Sequence, residues 1–226
     1  MTPQPLLSKG VRTIRTNSRD VRPPPPRSHS ADSGVMARVS RWWWVVVLCG
    51  LVGMTATTMQ IIERIQLAEQ PTAKLMCDIN ATFSCGTVLQ AWQSSVFGPI
   101  PNPVIGLIVF TVMAATSVGA LLGAQLTLRA WGVAAFLAGF MLCFTVWYFY
   151  ETTFSIKAIC LYCLFNGTAI LLINASLWRV AYAAGWLTRD GSRLAFAGRW
   201  VSGRSDLFIW AGLWVVVAAM VVVGFA

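Results

Sequence analysis

Residues 42–62 read WWWVVVLCGLVGMTATTMQII, a run without a single charged side chain. At about 1.5 Å per residue, a helix of this length crosses the roughly 30 Å hydrocarbon core of a bilayer. Four similar runs follow, at 103–124, 131–150, 158–178 and 207–226. The fourth carries Asn166 and Asn174, two polar residues in an otherwise apolar stretch. Lipid offers no partner to a free backbone N–H or C=O, so each run is expected to be helical. Composition agrees: 57% of the chain is apolar and 11% charged, whereas a soluble domain carries about a quarter charged residues. The expected fold class is all-α and integral to the membrane, with five transmembrane helices. The first run follows a forty-residue polar lead and has no small-residue cleavage site, so it reads as a span and not as a signal peptide.

Charge placement orients the spans. Residues 1–41 hold Lys9, Arg12, Arg15, Arg19, Arg22, Arg27, Arg38 and Arg41. The loop at 125–130 adds Arg129, and residues 179–206 add Arg179, Arg189, Arg193, Arg199 and Arg204. The alternate loops hold only Arg64, Lys74 and Lys157. The positive-inside rule then places the N-terminus and the 179–206 loop in the cytoplasm and the C-terminus outside. The net charge of +9 needs no nucleic acid to explain it, because no basic stretch has interleaved stacking aromatics or a binding motif. Residues 1–40, with the tract RPPPPRS, read as a disordered basic cytoplasmic tail. Met36, just before ARVSRWWW, is an alternative start that would keep Arg38 and Arg41 to orient the first helix. Three Lys against fourteen Arg hint at GC-rich codons and a high-GC bacterium.

The 63–102 loop is the long external segment. In TVLQAWQSSVFG, the residues Val88, Leu89, Trp92 and Val96 fall on one helical face, which fits a short helix on the membrane surface. Gly98, Pro99, Pro101 and Pro103 then turn the chain into the second span. Trp147, Tyr148, Phe149 and Tyr150 end the third span, with Phe154 beyond. They fit an aromatic belt at the membrane surface or the wall of an apolar pocket for a ring-shaped ligand.

The six cysteines fall into two sets. Cys49 and Cys143 are lone small residues within spans one and three, where packing explains them. The other four all map to the outer side, where disulfides form and persist. Cys77 and Cys85 flank CDINATFSC in the external loop, and Cys160 and Cys163 form CLYC at the outer end of span four. In a helix the CLYC sulfurs share a face, and the first turn favours a thiolate, the species that attacks a disulfide or a quinone. As a staple, C-x-x-C closes too small a loop to constrain much. A redox pair, a structural pair and a metal site are the three readings, and the placement favours the first. Zinc sites usually pair two close C-x-x-C units or mix Cys with His; here one gap is seven residues and the only histidine, His29, is in the tail.

These motifs resemble the vitamin K epoxide reductase family, in particular its bacterial members. CDINATFSC is similar to the family's paired loop cysteines, with the same gap and the Asp after the first Cys. CLYC at a helix start resembles its active-site C-x-x-C, and PNPVIG resembles the stretch where the family places an Asn near the quinone. The resemblance covers roughly residues 42–178. It implies a four-helix catalytic bundle over 41–178 around a quinone, with the fifth helix at 207–226 beyond the 179–206 loop. It also implies roles: Cys77 engages a partner's cysteine, Cys85 relays to Cys160, Cys163 sits against the quinone and donates the electrons, and Asn102 hydrogen-bonds a quinone oxygen. The chain departs from the family where bacterial relatives carry a Ser after the second loop cysteine: Ala91 is the nearest match, with Ser94 and Ser95 further on. At the position of an animal-type Tyr it has Gly167, which argues against vitamin K epoxide as substrate. Many bacterial members carry a thioredoxin domain after the fifth helix. This chain stops at Ala226, so the expected partner is a separate thioredoxin-fold protein of the DsbA type.

The expected function is that of a thiol:quinone oxidoreductase of the bacterial plasma membrane. It would reoxidise this extracytoplasmic partner and pass electrons to menaquinone or ubiquinone, with menaquinone favoured by the high-GC hint. No metal is expected. A DsbB-type enzyme would run the same chemistry, but that family has its C-x-x-C in the first external loop. The non-enzyme alternative is a small membrane transporter or scaffold with structural disulfides. The five apolar runs hold no charge, and intramembrane charges are what would favour a transporter.

Overall fold

A computed structural model describes residues 29–124, 126–187, 195–202 and 205–225. The RPPPPRS tract and part of the 179–206 loop lie outside the described residues. Among the described residues, five helices are long and apolar enough to cross a membrane, and they match the five runs in order. Helix α1 spans His29–Glu69, and its membrane-spanning part, Val39–Glu69, is longer than the run at 42–62. No proline occurs between Pro26 and Pro71 to stop it. Residues 29–40, expected as disordered tail, are therefore helical, and Glu63 and Arg64 become the last turns of a span.

A short helix, α2 (Cys85–Gln90), and a 3-10 turn (Trp92–Ser95) fill the loop before α3 (Asn102–Leu121). Pro103 sits in the first turn of α3, where its missing N–H costs nothing. Helix α4 (Leu128–Tyr150) runs into a π turn, Glu151–Ile156, that ends at Lys157 with φ +59°. The segment read as a plain loop thus prolongs the span. Helix α5 (Leu161–Ala183), α6 (Ala195–Ser202) and α7 (Ser205–Phe225) complete the order.

Helix α1 is the hub, packed along both α3 and α5, while α3 and α4 scarcely touch. Close approach of α1 and α3 depends on small residues: a Cβ on Gly106 would lie 2.9 Å from Thr57 Cγ2. Val46, Phe110, Met113, Ile170, Ile173 and Leu177 form the middle of the core. The polar residues of the fourth run face inward. Asn174 Nδ2 donates to Ala138 O at 2.9 Å and Ile170 O at 2.8 Å, which ties α4 to α5 where lipid would leave the amide unpaired.

Helix α7 is the outlier, with 6% of its apolar window buried against 50% for α5. Polar contacts hold it at both ends. Arg179 pairs with Asp206 through two hydrogen bonds, and Lys157 Nζ donates to Gly224 O at 3.3 Å. Within the 179–206 loop, α6 places Gly198 against the Leu187 backbone.

Candidate functional site

The cysteine loop is built from local turn chemistry. Asp78 accepts hydrogen bonds from Leu75 N, Gly86 N and Ser84 Oγ, at 3.1, 2.9 and 3.0 Å. One carboxylate thereby binds the backbone on both sides of the cysteine pair. Burial disfavours its charge, but these hydrogen bonds outweigh that effect and hold the carboxyl below the usual aspartate range. Asn80 Oδ1 accepts from Thr82 N and Phe83 N, an Asx turn. Ser84 caps α2 by accepting from Thr87 N. Cys77 and Cys85 are bonded to each other, with their Cα atoms 5.7 Å apart.

This loop is strapped to the start of α5. Phe83 and Ile159 form a parallel bridge, in which Ile159 N donates to Thr82 O at 2.7 Å and Ser84 N to Ile159 O at 3.1 Å. Cys85 follows the bridge by two residues and Cys160 by one. Cys77, Cys85 and Cys160 belong to one buried cluster, with Cys163 packed against it. The four cysteines expected on one side of the membrane are thus in one place.

Cys160 and Cys163 are unbonded. Cys160 is the N-cap of α5, and its carbonyl accepts from Cys163 N at 3.0 Å. A hydrogen bond from the Cys163 thiol, helped by the Cys163 N–H and the Gln60 amide, holds the Cys160 thiol below its ordinary value despite burial. Gln60, near the end of α1, donates through Nε2 to Cys163 Sγ at 3.2 Å and approaches Cys160 Sγ at 3.6 Å. Its Oε1 accepts from Asn166 Nδ2 at 3.0 Å.

Beyond Cys163 lies a mostly apolar cleft between α1, α3, α4 and α5, with about 630 Å³ of free space, mouth included. Phe110, Phe144, Tyr148 and Phe149 supply rings; Gln60, Ser94, Asn102 and Asn166 supply polar groups. Asn166 Oδ1 is buried without a hydrogen-bond partner. An aromatic-walled cleft with an unclaimed acceptor beside a thiol suits a flat, lipid-soluble ring that carries hydroxyl or carbonyl oxygens.

The aromatic cluster of α4 divides between its two readings. Tyr148 and Phe149 line the cleft, whereas Tyr150 and Phe154 are exposed and contact each other. Gly167 makes room for this wall, since a Cβ there would lie 2.7 Å from Phe149 Cε2.

Two expectations need correction. The single helical face of Val88, Leu89, Trp92 and Val96 does not form: Val88 and Leu89 are buried, while Trp92 is 69% exposed and Val96 is also exposed. The helix breaks at Ala91, whose ψ is 146°. Arg64 Nη1 and Ser94 Oγ donate to Leu89 O at 2.9 and 2.7 Å, so that carbonyl is satisfied without a further helical turn. Cys143 is exposed, unlike buried Cys49, so packing does not explain it.

Asn102 lines the cleft, but its side chain also holds the loop: Nδ2 donates to Gln93 O at 2.6 Å and Oδ1 accepts from Val96 N at 3.2 Å. Of the serines that follow the loop cysteines, Ser94 reaches the cleft. Ligand atoms of Glu63, Cys77 and Cys85 lie within 4.8 Å of one another, but the disulfide occupies both sulfurs in this state. Sequence reasoning missed Gln60, Glu63 and Asn166. Asn166 stands out as a polar residue in an apolar span, but that it meets Gln60, 106 residues away, beside a sulfur has no local signal.

By class, an all-helical membrane protein that gathers a bonded cysteine pair and an unbonded one beside an apolar cleft is a membrane thiol–disulfide oxidoreductase. The family model for the vitamin K epoxide reductase family matches residues 44–178. That is more than half of the chain, and the chain belongs to this family. Comparison with curated proteins gives no match. Proteins of the family act on quinones in general.

Proposed function

We propose that this protein is a thiol:quinone oxidoreductase that makes disulfides for an extracytoplasmic, DsbA-like thioredoxin-fold partner. The Phe83–Ile159 bridge, which draws the loop pair to the helix-mouth pair, is the observation that carries this reading. Cys77 takes electrons from the partner's dithiol, Cys85 passes them to Cys160, and Cys163, which lines the cleft, delivers them. A quinone in the cleft supplies the two-electron acceptor. Gln60 steadies the two inner sulfurs through its amide. Asn166 offers its free Oδ1 to a hydroxyl of the reduced ring, and Asn102 keeps the loop closed over the cleft while leaving one N–H for a ring oxygen. The protein sits in a bacterial plasma membrane, with its basic segments cytoplasmic and its four working cysteines outside.

The test uses purified protein in lipid nanodiscs, a reduced thioredoxin-fold oxidase and either a short-chain ubiquinone or a menaquinone analogue, followed by quinone absorbance. Wild type is expected to reduce the quinone as the partner's disulfide forms. Partner oxidation that proceeds equally well without quinone would overturn the reading.

A further inference from the structure

Glu63 is 5% exposed at the end of α1. Its Oε2 lies 3.2 Å from Cys77 Sγ, and Tyr162 Oη donates to its Oε1 at 3.3 Å. Arg64, its neighbour in sequence, turns instead to Leu89 O, Ser94 and Ser95. A buried carboxylate is costly, and this one faces a sulfur that changes state. A disulfide sulfur carries no hydrogen, so the contact becomes a hydrogen bond only when Cys77 is a thiol.

We propose that Glu63 is the proton acceptor for Cys77 when the loop disulfide is remade, an inference that rests on the thiol relay above. In that relay, the thiolate of Cys85 attacks the Cys160–Cys163 disulfide, the Cys85–Cys160 bond forms and Cys163 leaves as a thiolate. The Cys77 thiol then gives its proton to the Glu63 carboxylate. Its sulfur attacks Cys85, the Cys77–Cys85 bond forms, the Cys85–Cys160 bond breaks and the electron pair leaves on Cys160. Two electrons have then moved from the loop pair to the inner pair, and the proton rests on Glu63. The structure has the bonding pattern of this step's product: Cys77–Cys85 bonded, Cys160 and Cys163 free. The lowered Cys160 thiol suits a leaving group. Among the described residues, Tyr162 from α5, Cys77 and Asp78 from the loop, and Cys85 from α2, whose sulfur lies within 4.8 Å, are the titratable groups that face Glu63; Tyr162 holds Oε1 so that Oε2 faces the sulfur.

The experiment starts from fully reduced protein in nanodiscs mixed with excess short-chain quinone. The first equivalent of quinone oxidises Cys160 and Cys163; the second is consumed as the relay remakes the loop disulfide. In Glu63→Gln, the ratio of second-phase to first-phase rate should fall by about tenfold to a hundredfold. A Cys85–Cys160 adduct should accumulate on acid quench. The wild-type second phase should reach its full rate once the carboxylate is ionised, the variant's residual rate should keep rising with pH as the thiol itself ionises, and Glu63→Asp should recover part of the ratio. An unchanged ratio, or an equal fall in both phases, overturns the assignment. Wild type that reduces no quinone in either phase defeats the relay itself, so the two failures are distinct.

Discussion

The two cysteine pairs share a location and little else. Cys77 and Cys85 are bonded, on a loop shaped by Asp78, Asn80 and Ser84 within ten residues of sequence. Cys160 and Cys163 are unbonded, at a helix start, with an amide from a distant helix on their sulfurs. The outer pair is shaped by local turn chemistry and tied to α5 by the Phe83–Ile159 bridge. The inner pair takes its reactivity from the helix terminus and from tertiary contacts. In the relay proposed above, this difference suits the loop to present a bond and the helix mouth to accept electrons. A short backbone bridge joins the two devices.

The contrast breaks most completely at Cys163. Cys163→Ala should drop quinone reduction to background, a loss on the order of a thousandfold or more, as expected when a nucleophile is removed. Quinone absorbance with reduced partner checks this, and Cys77 and Cys85 should still be able to bond in the variant. On the loop side, Asp78→Asn keeps the shape but removes a charged acceptor from Gly86 N, Leu75 N and Ser84 Oγ. A loss of about 1–3 kcal/mol is expected, read as a lower Tm in detergent. The same interaction gives a pH signature. Asp78 has a depressed carboxyl pKa in the folded state. Its contribution is therefore complete above the ordinary aspartate value of about 3.9 and is lost as pH falls through its lower folded value. Wild type and Asp78→Asn should accordingly converge in stability only in strong acid. The smallest effect sharpens the inner side. Gln60→Leu removes the amide from Cys160 and Cys163, raises the Cys160 thiol toward its ordinary value, and should slow relay about tenfold, roughly one charge-assisted hydrogen bond. Thiolate absorbance across pH, variant against wild type, reads the shift.

Much of this is legible in the sequence. Uncharged runs fix the five spans because lipid forces helices of a set length. Lys and Arg counts, with the spans, predict that Cys77, Cys85, Cys160 and Cys163 share one side of the membrane. The unread parts are those set by tertiary contact. The extension of α1 to Glu69 converts Glu63 and Arg64 from loop charges into groups that face the site. The break at Ala91 depends on Arg64 and Ser94 reaching Leu89 O, which overrides a helical face drawn from periodicity alone. Asn102 was read for its likeness to a quinone ligand, and its bonds to Gln93 and Val96 give it a second task, holding the loop, that no motif announces.

The central claim is that electrons cross from the loop to the helix mouth between Cys85 and Cys160. Non-reducing peptide mapping of Cys77→Ala protein, isolated from membranes after rapid acid quench, tests it most directly. Without Cys77 to resolve it, a Cys85–Cys160 disulfide should accumulate as the principal cross-link. Cys85 found unbonded, or bonded only to Cys163, would contradict the account.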